Sequence, residues 1–267
     1  LKDNFIKFIE KTPSFGKSFI CLDDKNNRNV IKKISNLNYN TYGTSKLSNF
    51  KILNVLQKEN YSKFDLKINL PGTKENFIKN IKVPLIGLHN IRNSTAAAAV
   101  AFSVGIPIKI IKKGLENFSG VQRRFTKVFS FRNVSFFDDY AHHPTEIIEV
   151  LDGVRKVYRN KEIICIFQPH RISRLKNLHE EFSKSFKKAD TIILCPIFKA
   201  GENMKLGFSY NNFAKKIIKN SKVKLILIKN KLELIKYVKQ NIYGNKIAIG
   251  MGAGSISNWI RDLPKYI

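Results

Sequence analysis

In the second half of the chain, short apolar runs alternate with segments whose apolar residues recur at helical spacing. Each of these runs is followed by a helical segment, and they are VSFF (134–137), EIICIF (162–167), TIILCPIF (191–198), VKLILI (223–228) and KIAIGM (246–251). Strands that alternate with helices are typical of a parallel sheet with helices on both faces. The pattern therefore predicts a Rossmann-like α/β domain, in which ligands bind beyond the carboxyl ends of the strands.

The first half of the chain is less regular. Helices are predicted at 1–11 and 26–35, strands at 17–23 and 38–43, and short strands separated by polar turns across 50–86. The segment 87–106 predicts a loop that feeds a helix, because alanine has the highest helix propensity and four alanines occur in a row. With two obvious parallel-type strands, this sheet is expected to be too small to stand alone. The change of pattern divides the chain into regions 1–127 and 128–267.

The charge of the chain is strongly positive. Lys and Arg number 48 against 20 Asp and Glu, a net charge of +28, which normally suggests a polyanionic partner. The lysines are scattered along the whole chain among Asn and Ile, which indicates a bias in residue usage. We therefore expect no nucleic-acid and no membrane partner. Since no apolar run approaches the roughly 18 residues of a membrane-spanning helix, and the cysteines lack disulfide or zinc spacing, we expect a cytoplasmic protein without a cysteine-bound metal.

The segment FFDDYAHHPTE (136–146) places polar side chains directly after a predicted strand and before a helix. Asp138 or Asp139 could accept hydrogen bonds from a ribose or orient a cation. Histidine is the side chain suited to proton transfer near neutral pH, so His142 or His143 could position or deprotonate an amine. This composition is more than a solvated turn requires, and it predicts a functional loop at the carboxyl edge of the sheet.

The segment IFQPHRISR (166–174) repeats this arrangement after the next strand. Arg171 and Arg174 are three residues apart, so they share one face if the helix has begun, and could bind a carboxylate as a fork. Gln168 and His170 are adjacent to them. We expect this loop to lie beside the 136–146 loop.

Two further motifs are less specific. Asn90 and Asn93 precede the alanine run on one helix face, where their amides suit the donor and acceptor edge of adenine, although either could merely cap the helix. The pair Arg123 and Arg124 could clamp a phosphate, although a chain this basic contains arginine pairs by chance. The glycines of GMGAGSIS (250–257) lack dinucleotide-binding spacing and predict close backbone packing instead.

Taken in order, these motifs resemble the Mur ligase family of peptidoglycan synthesis. The segments that carry the resemblance are LKDNFIKFIEKTPSFG, TYG, GLHNIRNSTAAAAVA, GVQRRF, FFDDYAHHPTE, FQPHRISRLKNL and MGAGSI. The resemblance implies a partial P-loop-type central ATPase domain at 1–127 and a Rossmann-like amino-acid domain at 128–267. It implies an ATP-dependent and Mg²⁺-dependent amide ligation, in which the carboxylate of UDP-N-acetylmuramate becomes an acyl phosphate and the amine of L-alanine attacks it.

The resemblance also assigns residues by position. The ATP site would include His89, Asn90, Asn93, Arg123, Arg124, Asp138 and Asp139. The L-alanine pocket would include Tyr140, His142, Arg171 and Arg174, and the catalytic roles would fall to His142, Arg124 and Asp139. No metal ligand is assigned within this chain. The family's UDP-binding domain, P-loop lysine, magnesium-binding glutamate and a further histidine would lie upstream of Leu1, so we expect a C-terminal portion that does not ligate by itself.

Two alternative functions are open for this chain, and they differ in the ligand that the chain would bind. A sister Mur ligase would attach a preformed peptide to the same sugar, but a short arginine fork beside a histidine suits a small amino acid better. A non-catalytic nucleic-acid-binding protein would explain the charge of +28, and its affinity would fall steeply with salt.

Overall fold

The computed structural model describes residues 2–35, 38–203, 205 and 207–267. The chain divides into two compact units, Leu1–Ser119 and Gly120–Ile267. The predicted domain boundary after residue 127 stays a prediction, and in the structure that position falls within a strand of the second unit.

The first unit contains four helices and five strands among its described residues. They are α1 (Lys2–Glu10), β1 (Ser18–Cys21), α2 (Lys25–Ile31), β2 (Tyr39–Gly43), β3 (Phe50–Lys58), β4 (Tyr61–Ile68), β5 (Asn76–Val83), α3 (Leu88–Ser103) and α4 (Ile108–Glu116). The helices and strands predicted before residue 107 are confirmed. Helix α4 was not anticipated from the sequence.

The five strands of this unit form one sheet in the order β1-β2-β3-β4-β5. Strands β1 to β3 pair in parallel, and β3, β4 and β5 pair antiparallel. The sheet is therefore larger than the two strands expected, because the short strands join the parallel pair, and the expectation that it cannot stand alone stays a prediction. Strand β4 alternates half-exposed and buried residues, so it presents one apolar face to the core. Ala98 and Ala99 of α3 are buried against that core.

The second unit contains the predicted strand–helix alternation. Its elements are β6 (Thr126–Phe131), β7 (Val134–Asp139), α5 (Pro144–Val157), β8 (Glu162–Phe167), α6 (Ile172–Lys184), β9 (Thr191–Leu194), α7 (Tyr210–Ser221), β10 (Lys224–Leu227), α8 (Lys231–Asn241), β11 (Lys246–Met251), α9 (Ile256–Asp262) and a 3₁₀ turn (Leu263–Lys265). All five predicted strands and their helices are confirmed, although β9 ends at Leu194 rather than at residue 198.

The sheet of the second unit has the order β10-β9-β8-β11-β7-β6. Strands β7 to β11 are parallel, and β6 is an antiparallel edge strand joined to β7 by a two-residue turn. Arg132 and Asn133 of this turn both have positive φ, 46° and 63°, as a type I′ turn in a two-residue hairpin requires. Strand β6 was missed because Arg-Asn is a weaker turn signal than Asn-Gly.

The position of β11 between β7 and β8 brings three strand ends together. Met251 is paired with Asp139 on one side and with Phe167 on the other, so the three strands end at the same level. Gly250 allows α9 to pack closely, since a Cβ there would collide with the side chain of Ile260. The predicted packing role of the glycine-rich segment is confirmed. In the described ranges, no helix combines the length and apolar character needed to cross a membrane.

Gly250→Ala should destabilise the second unit. The added Cβ would overlap Ile260, which is fully buried and has little space to move, so we expect a loss of roughly 1–3 kcal/mol in the free energy of unfolding. The measurement is urea denaturation followed by circular dichroism. Gly114 in α4 is the matched control: nothing lies within 4 Å of its added Cβ, so Gly114→Ala should be neutral or stabilising. An unchanged or higher stability of Gly250→Ala would contradict this packing.

Candidate active site

Three loops meet at the carboxyl edge of the second unit's sheet, after β7, β8 and β11. Gln168, after β8, accepts a hydrogen bond from the Ile256 N–H (3.0 Å) and donates to Ser255 Oγ (3.1 Å) after β11. The rings of His142, after β7, and His170, after β8, are 5.8 Å apart. The prediction that these two loops are neighbours is therefore confirmed, even though β11 separates their strands.

A row of rings crosses this edge. Tyr140 and His142 lie 4.9 Å apart between ring centroids, and His142 meets His170 edge to face. His170 in turn stacks on Phe198, which follows β9, at 5.6 Å and 10°. Phe198 was not singled out from the sequence, because nothing local distinguishes it from any other phenylalanine near a strand end.

His142 is oriented by its own loop. Its Nδ1 lies 2.8 Å from the carbonyl oxygen of Tyr140, and 3.3 Å from the carboxylate of Glu146. A carbonyl can only accept, so Nδ1 carries a proton, and in the neutral form of a histidine the other ring nitrogen, here Nε2, is the one that can accept. His143 has a different function, because its side chain caps α5 by accepting from the Thr145 N–H. Of the two histidines, the geometry therefore leaves His142 as the candidate base.

His170 is the second histidine of the row. Arg174 Nη1 lies 3.1 Å from His170 Nδ1, and an arginine can only donate, so this nitrogen accepts. Burial, followed by the positive charges of Arg174, His142 and Arg171, holds the pKa of His170 below its usual value of 6.5. His170 is therefore neutral at neutral pH.

Arg171 does not lie on the helix face that its spacing suggested. Helix α6 begins at Ile172, and Arg171 is its N-cap residue with a positive φ of 69°. The shared face expected for Arg171 and Arg174 required a helix that had already begun, so that geometric argument is wrong. Arg171 instead reaches to 3.7 Å from Glu202, and half of its side chain remains exposed.

The two adjacent arginines after Gly120 differ in their surroundings. The Arg123 guanidinium donates to the Gly252 carbonyl (2.6 Å) and lies over the Tyr140 ring at 4.6 Å. Arg124 lies 5.9 Å from the same ring and is exposed. Arg123 is thus used within the protein, whereas Arg124 faces solvent.

The adjacent aspartates at the end of β7 are both buried but have different partners. Asp138 accepts from Ser257 Oγ (2.6 Å) and pairs with Arg261 (3.0 Å), so it faces α9. Asp139 accepts from the backbone N–H groups of Ala141 (2.8 Å) and Phe125 (2.7 Å). Asp139 therefore ties the arginine loop to the strand end.

The pKa of Asp139 is raised to about 6. Burial is the main cause, and the two backbone N–H groups, which favour the charged form, offset it in part. Neither aspartate belongs to a metal-binding cluster. Across the described residues, no group of three or more His, Cys, Asp or Glu is placed to hold a metal ion.

The remaining predicted residues lie in the first unit. Helix α3 begins after Gly87, which is its N-cap, so neither asparagine caps it. The buried Asn90 donates to the Ile86 carbonyl (2.7 Å), while Asn93 is exposed. His89 lies against Gly87, where a Cβ would meet its ring at 2.6 Å.

An ion pair in the first unit was not predicted from the sequence. Arg92 in α3 contacts Asp23 after β1 at 2.7 Å, and Asp23 also accepts from the backbone N–H and hydroxyl of Thr44. Burial would raise the pKa of Asp23, but the hydrogen bonds from Arg92 and Thr44 outweigh it and lower the pKa. These residues are far apart in sequence, so no local pattern could reveal them.

Comparison with known families and proteins gives consistent results. The Mur ligase middle domain matches residues 1–101, and the Mur ligase glutamate ligase domain matches residues 123–254. A UDP-N-acetylmuramate--L-alanine ligase of Pelagibacter ubique is 63% identical over all of this chain and 58% of its own length. The enzyme of the same name from Bartonella bacilliformis is 35% identical over all of the chain and 56% of its own length. The chain thus spans a little more than half of these relatives.

Solved structures agree on the fold. UDP-N-acetylmuramate-alanine ligase MurC from Thermotoga maritima superposes with a TM-score of 0.67 at 24% identity, over 90% of this chain and 54% of that one. MurF ligase from Thermotoga maritima, solved in complex with ADP, superposes with a TM-score of 0.70 at 15% identity, over 99% and 58%.

The titration of Asp139 predicts a pH dependence of stability. Since its pKa is higher in the folded chain (about 6) than its ordinary value of 3.8, the folded state holds this proton more tightly. Its contribution to stability is therefore fully present below pH 4 and is lost as the pH rises to 6, by on the order of 3 kcal/mol. Asp139→Asn removes this titration at a fixed cost. The stability of the parent relative to the variant, measured by urea denaturation between pH 4 and 7, should fall with pH, and a constant difference would contradict the shift.

Proposed function

Because the chain belongs to the Mur ligase family, we propose that it supplies the amino-acid site and nucleotide contacts of an ATP-dependent ligase that joins L-alanine to UDP-N-acetylmuramate. One observation carries the proposal: in a chain 63% identical throughout to a UDP-N-acetylmuramate--L-alanine ligase, Arg174 contacts His170, and the ring of His170 meets that of His142 edge to face. Such a cluster can bind a carboxylate and accept a proton from an ammonium group.

The second unit would hold L-alanine between these groups. The half-exposed Arg171 guanidinium would bind the substrate carboxylate, with Arg174 beside it on His170. His142 Nε2 would take a proton from the alanine ammonium, which leaves the amine nucleophilic. Because His170 is neutral, it adds no positive charge that would repel the ammonium. The amine then attacks the acyl phosphate of the muramoyl group, forming the amide bond and releasing phosphate.

The nucleotide contacts of the second unit would come from Arg124. Arg123 is engaged by the Gly252 carbonyl and Tyr140, so Arg124 is the arginine free to meet a phosphate. Asp139 acts on this contact indirectly, because it fixes Phe125, the next residue. Asp138 contributes to the packing of α9 through Arg261. Within the first unit, Asn93 is the exposed candidate for an adenine contact, and the roles of His89 and Asn90 stay predictions.

Magnesium is implied by the family, but the described residues of this chain do not form a site for it. Both oxygens of Asp139 accept backbone N–H groups, and Asp138 is paired with Arg261. No three-residue metal-binding group exists among the described residues. We therefore assign no magnesium ligand here. The cytoplasmic location and the absence of nucleic-acid and membrane partners also stay predictions.

The experiment that tests the function is a chimaera. Residues 1–267 would replace the matching portion of the Pelagibacter ubique ligase, to which they are 63% identical over their full length. We expect phosphate release that requires ATP, UDP-N-acetylmuramate and L-alanine together. A folded chimaera that releases no phosphate would refute the proposal. Activity with a preformed peptide in place of L-alanine would identify the sister ligase instead.

In the active chimaera, Arg171→Ala should act selectively on the amino acid. Losing the carboxylate contact should raise the KM for L-alanine by roughly tenfold or more, since a charge-assisted contact is worth about 1.5–3 kcal/mol, and leave the KM for ATP within about twofold. Steady-state phosphate release with each substrate varied in turn measures both constants. Equal effects on the two constants would remove Arg171 from the amino-acid site.

Substitutions of the two adjacent arginines should have different effects on activity and stability. Arg124→Ala should lower kcat/KM for ATP by about 100-fold while the melting temperature of the chimaera is unchanged, because its side chain is exposed. Arg123→Ala should lower the melting temperature, because it removes the hydrogen bond to Gly252 and the contact with Tyr140. The reverse pattern would show that Arg123 makes the nucleotide contact.

A further inference from the structure

The loop that follows β9 is built against the arginine-bearing loop after β8. The Arg171 N–H donates to the Phe198 carbonyl (2.8 Å), and the Phe198 N–H donates to the Pro169 carbonyl (2.8 Å). The Phe198 ring also stacks on His170. The backbone on both sides of His170 is therefore held by a segment that sequence reasoning left outside the site.

Glu202, at the end of this segment, completes the support. Helix α6 has no side-chain cap of its own, because its N-cap residue is Arg171. The Glu202 carboxylate, 29 residues after Ser173, caps the helix instead. It accepts hydrogen bonds from the Ser173 N–H (3.0 Å) and from Ser173 Oγ (2.6 Å). These hydrogen bonds are the main reason that the pKa of Glu202 lies below its usual value. A carboxylate at a helix N-terminus is also favoured by the helix dipole.

The conformation of Arg171 depends on this support. A non-glycine residue with a φ of 69° is strained, at a cost on the order of 1 kcal/mol, and persists where its neighbours fix it. The Phe198 carbonyl fixes its N–H, and the Glu202 cap fixes the turn that begins at Ile172. The Arg171 guanidinium lies 3.7 Å from Glu202, beyond hydrogen-bond distance, so its donors are not consumed by this pair.

From these contacts we propose that Glu202 is a positioning residue for the substrate carboxylate: by capping α6 at Ser173 it holds Arg171 with its guanidinium directed to the amino acid. The inference rests on the proposed function, because it presumes that Arg171 binds L-alanine. Glu202 itself touches no substrate. In this proposal, Glu202 positions Arg171 through its hydrogen bonds to Ser173. The negative charge of Glu202 is not needed.

The test compares Glu202→Ala and Glu202→Gln in the active chimaera. Glu202→Ala should raise the KM for L-alanine by roughly tenfold, with the KM for ATP and kcat within about twofold of the parent. Glu202→Gln should restore the parent KM for L-alanine, because its amide can accept from the Ser173 N–H and donate to Ser173 Oγ. Glu180→Ala is the matched control. Glu180 lies on α6, the helix that Glu202 caps, but it is exposed and pairs with Lys216, so kcat and both KM values should be unchanged.

Ser173→Ala gives an independent measure if Glu202→Ala does not fold. It removes one of the two hydrogen bonds to Glu202 and should raise the KM for L-alanine by a smaller factor. The inference is overturned if the constants for L-alanine and ATP rise together, if none of the variants changes the KM for L-alanine, or if Glu202→Gln is as defective as Glu202→Ala. An inactive parent chimaera is a different result, which refutes the proposed function and this inference with it.

Discussion

The pairing of β11 between β7 and β8 is the interaction on which the site depends. Although β11 is the last strand of the sheet in sequence, its Met251 is aligned with the final residues of both neighbours. This alignment brings the loops after three strands to one edge. Gln168 then joins the loops after β8 and β11 by accepting from Ile256, and Arg123, in the segment before β6, donates to the Gly252 carbonyl after β11.

The arginines at this edge of the sheet have few carboxylates close to them. Arg171, Arg174 and Arg124 are cations near the carboxyl ends of β7 and β8, and the neighbouring carboxylates Glu202 and Glu146 are committed to backbone N–H groups. Those carboxylates keep their negative charge and offset the cations only in part, since the three arginines outnumber them. An anionic substrate is attracted by such a field, which the net charge of +28 reinforces.

The sequence predicted what depends on local periodicity. The five strand–helix units of the second half, and the placement of two polar loops after β7 and β8, follow from apolar spacing alone. Contacts between distant segments could not be predicted in this way. The start of α6 depends on Glu202, 29 residues downstream of Ser173, so the expected helix face for Arg171 was wrong. Asp138 and Asp139 are adjacent but point to opposite faces of β7, as a strand requires, and the sequence does not say which face meets α9.

The most direct test of the amino-acid site is a crystal structure of the chimaera with L-alanine and an ATP analogue bound. We predict that the alanine carboxylate lies within hydrogen-bond distance, about 2.7–3.1 Å, of the Arg171 guanidinium, with the amine directed towards His142 Nε2. An alanine carboxylate bound elsewhere, with Arg171 still directed at Glu202 and free of substrate, would contradict the assignment of this edge as the amino-acid site.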